Sequence, residues 1–332
     1  MGKYSSSQRD WIQLFEQRGW DPLFFDCDTM SEKARRTLFY VAYEVQHQGL
    51  LGRSVRQKLS GIGWMFVKNF LPNPFGEMPA LAYFFRHLAS KEPKPSPKLP
   101  VCPSLLEIIM LHLDLSTIAG AALAASICAI YWALLRCGEY AGETETYADS
   151  DRVVCWRDLI LRKHLGPDSP FCSNTDFGEA EVLTIRIRSG KNVLHTCTRT
   201  ITKTKDCAIC AVSAIQNLHR VIFKTTGAYP RPEEALCKVK EGRWISREQI
   251  SEVLKAGMRA CGCNSDRTAS HSLRRGGASA YYCAGVPMED IKIFGRWLSD
   301  SYKLYIFLSG TNSIMSKGNV HPTMVVPRFE KN

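Results

Sequence analysis

Apolar positions recur three and four residues apart through the first part of the chain, which is the period of an amphipathic helix. In "SEKARRTLFYVAYEVQHQGL", Leu38, Val41, Ala42 and Val45 share a side, with Ser31 the expected N-cap and Gly49 the expected stop. "SVRQKLSGIGWMFVKNFL" places Leu59, Ile62, Met65 and Phe66 on one side and leaves Arg56, Lys58 and Lys68 for the other. "MPALAYFFRHLAS" reads as a further short helix. Gly61-x-Gly63 lies inside the helical pattern with no strand before it, which argues against a phosphate loop. These segments predict a small all-α domain with a basic face.

The pattern breaks at "SKEPKPSPKLPVCP", residues 90–103, where prolines block helix and sheet and lysines keep the chain solvated. A linker here separates a domain over 1–97 from one over 98–332. Beyond it, "SLLEIIMLHLDL" and the stretch from Leu115 to Leu135, "LSTIAGAALAASICAIYWALL", are helical. The second holds no charge and is long enough to span a bilayer. It is rich in Ala and Ser and lacks a clear flanking basic cluster, so a helix buried in a core is expected. The period then changes. In "EVLTIRIRSGKNVLHTCTRTITK", Leu183, Ile185 and Ile187 alternate with Thr184, Arg186 and Arg188, a half-buried strand with a basic outer face. "SGKN" is the turn and "TRTITK" the returning strand. "AVSAIQNLHRVIF" is helical, and "SREQISEVLKAGMRACG" opens on a Ser-x-x-Gln capping box and stops at Gly262. The fold class is therefore mainly α with a small β-sheet or hairpin: a helical N-terminal domain and an α+β C-terminal one.

Composition narrows the partners. The 332 residues are 45% hydrophobic and 23% charged, ordinary for a globular protein with one large or two average domains. The net charge of +11 favours a polyanion, because a Lys or Arg placed near a phosphate releases condensed counterions; an anionic membrane surface fits the same charge. The thirteen cysteines are odd in number, no signal peptide is visible and no N-x-S/T acceptor occurs, which points to an intracellular, reducing setting. Cys207-x-x-Cys210 and Cys261-x-Cys263 lack a second pair at zinc-finger spacing, so no metal and no cofactor is expected.

Four separated pieces carry candidate chemistry, each ordinary by itself. "LLRCGEY" puts Arg136 and Glu139 at the end of the buried helix, where an arginine is costly without a partner; an i,i+3 ion pair is the plain account. Lys191 sits at the turn of the basic hairpin. His271-x-x-Arg274 opens a helix, so imidazole and guanidinium can reach one group, and Arg275 beside them reads as solvated or phosphate-contacting. Trp297 is followed by Tyr302 and Tyr305, which alone would be core aromatics.

In this order, Arg, Glu, Lys, His-x-x-Arg, Trp and Tyr resemble the tyrosine recombinase (phage integrase) family. "LLRCGE", "SHSLRRGGASA" and "IFGRWLSDSYKLYI" look most like the branch carried by eukaryotic mobile elements of the Crypton and DIRS type, over about residues 30–310. The resemblance implies a SAM-like, core-binding helical domain over 1–97 and a recombinase catalytic domain over 98–332. The tail 309–332 either docks on a neighbouring subunit, as family tails do, or is a disordered end. It implies site-specific strand exchange, integration or excision, through a 3′-phosphotyrosyl link without metal or ATP. Arg136 and Arg274 would neutralise the nonbridging oxygens. His271 would add a hydrogen bond or a proton, and Trp297 would close the site and donate through its indole N–H. Glu139 would orient Arg136 or His271. Lys191 would protonate the departing 5′ oxygen, and Tyr305 would attack. Arg56, Lys58, Lys68, Arg186, Arg188 and Arg275 would contact DNA.

Trp297 follows Arg274 by 23 positions, as in the family, and Tyr305 follows Trp297 by 8, one fewer than in many bacterial members; Tyr302 is the other candidate nucleophile. The Gly285-Val286-Pro287 turn then packs the helix bearing Trp297 against the site, although it looks like a helix-turn-helix. The implied partners are double-stranded DNA clamped between two basic surfaces and three further copies of the chain on paired sites, with no membrane, in a nucleus if the host is eukaryotic. Two other readings use the same residues: a type IB topoisomerase-like nicking and resealing enzyme, and a recombinase-derived DNA-binding protein that no longer cleaves.

Overall fold

A computed structural model describes residues 5–27, 29–93, 98–166, 168–188, 196–205, 207–304 and 324–325. The chain divides into two compact units, Met1–Pro95 and Ser96–Asn332.

The first unit is helical: α1 (Ser5–Gln17), α2 (Met30–Gln46), α3 (Gly52–Lys68) and α4 (Pro79–Lys91). The α3 pattern reads through to the structure, with Leu59, Ile62, Met65 and Phe66 all buried. α2 starts earlier than expected. Its N-cap is Thr29, whose hydroxyl accepts from the Glu32 N–H, and Ser31 lies inside the first turn. Gly49 stands just past the end in the left-handed region, φ +65°. α1 supplies Trp11, which stacks on Phe15 at 3.9 Å and meets Tyr40 edge-on at 5.0 Å, so the core is built around aromatic rings.

In the second unit, Leu99 and Val101 donate to the Arg267 and Ser272 carbonyls, which pins the end of the proline-rich stretch to this unit. α5 (Pro103–Leu111) begins on a proline at its first turn, where the missing N–H costs nothing. α6 (Ile118–Trp132) is the uncharged segment and is buried on every side. Among the described residues, no helix is long and apolar enough to cross a membrane. After α6, Leu134 takes a left-handed conformation (φ +48°) and a one-turn helix, α7 (Cys137–Tyr140), follows.

Then come β1 (Leu159–Arg162), β2 (Val182–Ile187), β3 (Cys197–Thr202), α8 (Ala211–Thr226), β4 (Lys238–Lys240), β5 (Arg243–Trp244) and α9 (Arg247–Ala260). α10 (His271–Cys283), α11 (Met288–Gly295) and β6 (Met324–Val325) complete the unit. The sheet is antiparallel in the order β1-β2-β3-β6. Leu183, Ile185 and Ile187 face the core as their alternation requires.

The small residues of "RRGGASA" bring α10 against α6. A Cβ on Gly277 would stand 2.0 Å from the Tyr131 carbonyl oxygen, so only glycine admits this approach. Tyr281 completes the contact by donating from its hydroxyl to the Trp132 carbonyl at 2.7 Å. The packing fixes α10, and with it His271 and Arg274, relative to the α6–α7 corner that carries Arg136. The thirteen cysteines carry no disulfide.

Candidate active site

Arg136 is the N-cap of α7 and does not sit on α6, because the left-handed turn at Leu134 separates them. Its backbone N–H donates to Glu139 Oε2 at 2.8 Å, and its Nη1 donates to Oε1 at 3.1 Å, so the i,i+3 pair exists. Glu139 is buried and has a second, stronger partner that the sequence did not indicate. Arg296 donates from Nη1 to Oε1 at 2.9 Å and from Nη2 to Oε2 at 2.5 Å, a two-pronged ion pair across 157 positions. Burial pushes the Glu139 carboxyl up, and the contacts with Arg296 and Arg136 more than reverse this, leaving it below the ordinary carboxylate value.

Arg296 adopts φ +60°, a rare conformation for a side chain this large, directly before Trp297. The indole folds back across Gly295, where a Cβ would fall 1.7 Å from the ring. Arg274 lies beneath, its guanidinium carbon 4.4 Å from the Trp297 ring centroid. Its Nη1 donates to the Leu134 carbonyl at 2.5 Å and its Nη2 to the Gly295 carbonyl. One buried guanidinium thus ties the chain two residues before Arg136 to the chain two residues before Trp297.

His271 opens α10. Burial of its ring, then the charges of Arg274, Arg275 and Arg136, lower its pKa to about 4. The residue keeps an open surface, so solvent weakens the burial contribution. The three guanidiniums act in the same direction, and the imidazole is neutral at pH 7.

Arg199 is a further member. It is the register partner of Ile185 and shares the inward face of β3 with Ile201. It donates to the Thr198 and Ile293 carbonyls, at 2.5 and 3.3 Å, and lies over the Phe294 ring. Burial, then the nearby charge of Arg296, lowers its pKa to about 10, so it is still a cation at neutral pH. Parity with Ile201 in "CTRTIT" was a signal that could have found it. For Arg296 no spacing signal exists, because its position depends on one left-handed residue.

Lys191 and Tyr305 lie outside the described residues. Tyr302 is a buried core residue on the short turn Asp300–Leu304, with the Lys292 ammonium 5.4 Å from its ring centroid.

The expected DNA-contacting residues divide. Arg56, Lys68 and Arg186 are exposed. Lys58 is paired to Asp10 and Glu44 at 2.7 and 2.8 Å, a correction to the basic face. Arg188 is also corrected. It donates to the buried Asp158 carboxylate at 2.9 Å and to the Ser150 and Val153 carbonyls, which makes it a structural clamp on the loop before β1. Arg275 is buried on α10 and does not form part of an open surface.

Cavities of about 440 and 490 Å³, beside His219 and beside Ser60, include none of Arg136, Glu139, His271, Arg274 and Trp297; the second is lined by Arg56. The cluster therefore has Arg136, Arg199 and Arg296 near the Glu139 carboxylate, and Arg136, Arg274 and Arg275 near the His271 imidazole, with the Trp297 indole over Arg274. Its excess of positive charge suits an anionic oxygen ligand.

No protein-family model matches the chain, and no curated protein matches it. Solved structures do. The XerH site-specific recombinase, bound to palindromic difH substrate in a post-cleavage complex, aligns over 85% of this chain and 69% of its own, with a TM-score of 0.50 and 12% identity. The Tn1549 transposon integrase, in complex with circular intermediate DNA, aligns over 95% and 92%, with a TM-score of 0.49 and 15% identity. The integrase of mycobacterium phage Brujita aligns over 95% and 83%, with a TM-score of 0.32 and 15% identity. At such identities the likeness is one of architecture: a mainly helical chain with a small antiparallel sheet, the fold of the tyrosine recombinase catalytic domain.

Proposed function

We propose that the chain is a tyrosine recombinase of the mobile-element branch that carries out site-specific DNA strand exchange. The observation that carries the reading is the single anchoring of Arg274. Its guanidinium is fixed to the carbonyls of Leu134 and Gly295, lies under Trp297, and has His271 one turn before it and Arg136 two residues beyond its anchor. The fold shared with XerH supports the same reading, since that structure is a recombinase with cleaved substrate.

In this scheme Arg136 and Arg274 bind the nonbridging oxygens of the scissile phosphate and gain strength as charge grows there. Neutral His271 donates or accepts one hydrogen bond, and Trp297 shields the centre from water. The Tyr305 oxygen attacks phosphorus as its proton passes to the neutral His271 imidazole. The bond from phosphorus to the 5′ oxygen breaks, and Lys191 supplies the proton to that oxygen. A second 5′-hydroxyl then attacks the 3′-phosphotyrosyl link and gives its proton to the neutral Lys191, the tyrosine oxygen leaves and takes its proton back from His271, and the strand is resealed. Four protomers on two sites exchange strands in sequence, and the N-terminal helical unit adds phosphate contacts, so binding weakens steeply with salt.

The test is a pool of nicked suicide duplexes of enriched sequence. The expected result is a covalent protein–DNA adduct that resists denaturant and forms in the presence of a chelator. Binding without an adduct for any sequence would leave a DNA-binding protein that does not cut. An adduct with single-strand relaxation but no exchanged product would favour a topoisomerase.

A further inference from the structure

The first unit has a surface feature that the site does not use. At about 100° per residue, Arg53, Arg56, Gln57, Ser60, Trp64, Val67 and Lys68 fall on one stripe of α3, and all seven are exposed. Val55, Leu59, Ile62 and Phe66 face the core instead. Trp64 is 53% exposed and Val67 45%, and Phe70, on the turn just after the helix, is 98% exposed. Phe70 also holds φ +60°, its N–H on the Val67 carbonyl at 3.0 Å. A left-handed phenylalanine is unfavourable, and a fully exposed ring is unfavourable again; Asn or Gly would remove both costs. Strain of this kind concentrates where a ligand uses it.

The charge along the segment that carries the rings has one sign, and Glu77, beside Arg56 and Ser60, is the nearby exception. Residues 45–76 include Arg53, Arg56, Lys58 and Lys68 and no Asp or Glu. Lys58 points off the stripe and is consumed by Asp10 and Glu44. Arg56 remains at the surface with its guanidinium over Phe85, 4.8 Å from the centroid, Arg53 reaches the Pro93 carbonyl at 3.4 Å, and Lys68 is exposed. A second copy of the chain docking by the same face would set these cations against themselves. A polyanion with apolar faces of its own fits better.

We infer that this face of α3 docks on double-stranded DNA, with Arg53, Arg56 and Lys68 on phosphates and Phe70, backed by Trp64, wedged against the bases. The inference rests on the proposed DNA reading and gives it a local mechanism. Side chains of this kind inserted at a base step unstack it and bend the duplex, so recognition there depends on how easily the sequence deforms.

The experiment uses the full chain and fluorescent random-sequence duplexes, with anisotropy measured across a potassium chloride series. Phe70→Asn and Trp64→Gln should each weaken binding by about fivefold or more at every salt concentration, leaving the salt slope unchanged, because a stacked ring releases no counterion. The double variant Arg56→Gln/Lys68→Gln should instead reduce the slope by about two. Phe70→Asn should melt no lower than the wild type, since it removes no core contact and relieves the backbone, so a misfolded variant cannot mimic the result. Failure of the wild type to bind duplex at low salt would overturn this inference together with the DNA reading. Wild-type binding with aromatic variants within about twofold of it would overturn the inference alone. Loss of concentration-dependent self-association in Phe70→Asn, with duplex affinity kept, would also overturn it and make the face a contact between copies.

Discussion

Replacing Arg296 by methionine tests whether the Glu139 carboxylate is held in place by a partner that carries no role in the sequence pattern. The Glu139 side chain is 4% exposed and takes four hydrogen bonds: two from Arg296 at 2.9 and 2.5 Å, and two from Arg136 at 2.8 and 3.1 Å. Arg296→Met leaves the two from Arg136. Removing one partner of a buried pair costs about 3–5 kcal/mol. Two features reduce that here: Arg136 remains, and Arg199 loses a like-charged neighbour. The expected loss is therefore about 2–3 kcal/mol at pH 7.

The pH dependence gives this loss a signature. The wild-type carboxyl is held below its ordinary 4.5, which contributes stability above that pH, lost as pH falls through the lowered value. In the variant, burial is no longer outweighed and the folded pKa rises above 4.5, so a penalty appears at higher pH and fades as the carboxyl protonates. The deficit should be largest at pH 7 and shrink as pH falls towards 4.5. Urea unfolding of the second unit at several pH values reads this directly, and Arg296→Met/Glu139→Gln should recover more than half of the loss. A deficit under about 1 kcal/mol at pH 7, or one that grows on acidification, refutes the reasoning.

Three further outcomes follow from the geometry. Gly277→Ala puts a methyl 2.0 Å from the Tyr131 carbonyl, a backbone obstacle, so α10 must move off α6; melting should show a loss of about 3 kcal/mol, with adduct formation abolished through displacement of Arg274. Arg188→Gln strips the buried Asp158 of its cation and should cost about 3 kcal/mol of stability while leaving the salt slope of DNA binding unchanged; a reduced slope would make Arg188 a phosphate contact after all. With the His271 pKa at about 4, the cleavage rate should not titrate near 6.5 on its account, and a limb there that His271→Gln removes would contradict a neutral imidazole.

What the sequence could and could not convey follows from the range of the interaction. The β2 alternation and the buried face of α3 are local periods, and the structure follows them. α6 is uncharged because it is surrounded, which neither the periodicity nor the length of the uncharged stretch distinguishes from a membrane span; the helix within that stretch stops after 15 residues. Thr29 displaces Ser31 as the α2 cap because its hydroxyl takes the Glu32 N–H, while the Glu32 carboxylate turns to Arg35 and Arg36. The charge pairings were not legible. Lys58 finds Asp10 at a separation of 48 positions and Arg188 finds Asp158 at 30, and neither distance has a local pattern. Arg296 was missed for the same reason, since Glu139 is its partner only once α11 ends in a left-handed turn.

The most direct measurement is the identity of the residue joined to DNA. The adduct from a suicide duplex would be trimmed with nuclease, digested with protease and sequenced by mass spectrometry, with Tyr302→Phe and Tyr305→Phe in parallel. The account predicts a nucleotide 3′-linked to Tyr305, retained in Tyr302→Phe and lost in Tyr305→Phe. A nucleotide on Tyr302, or no modified tyrosine on any cleaved substrate, would contradict it.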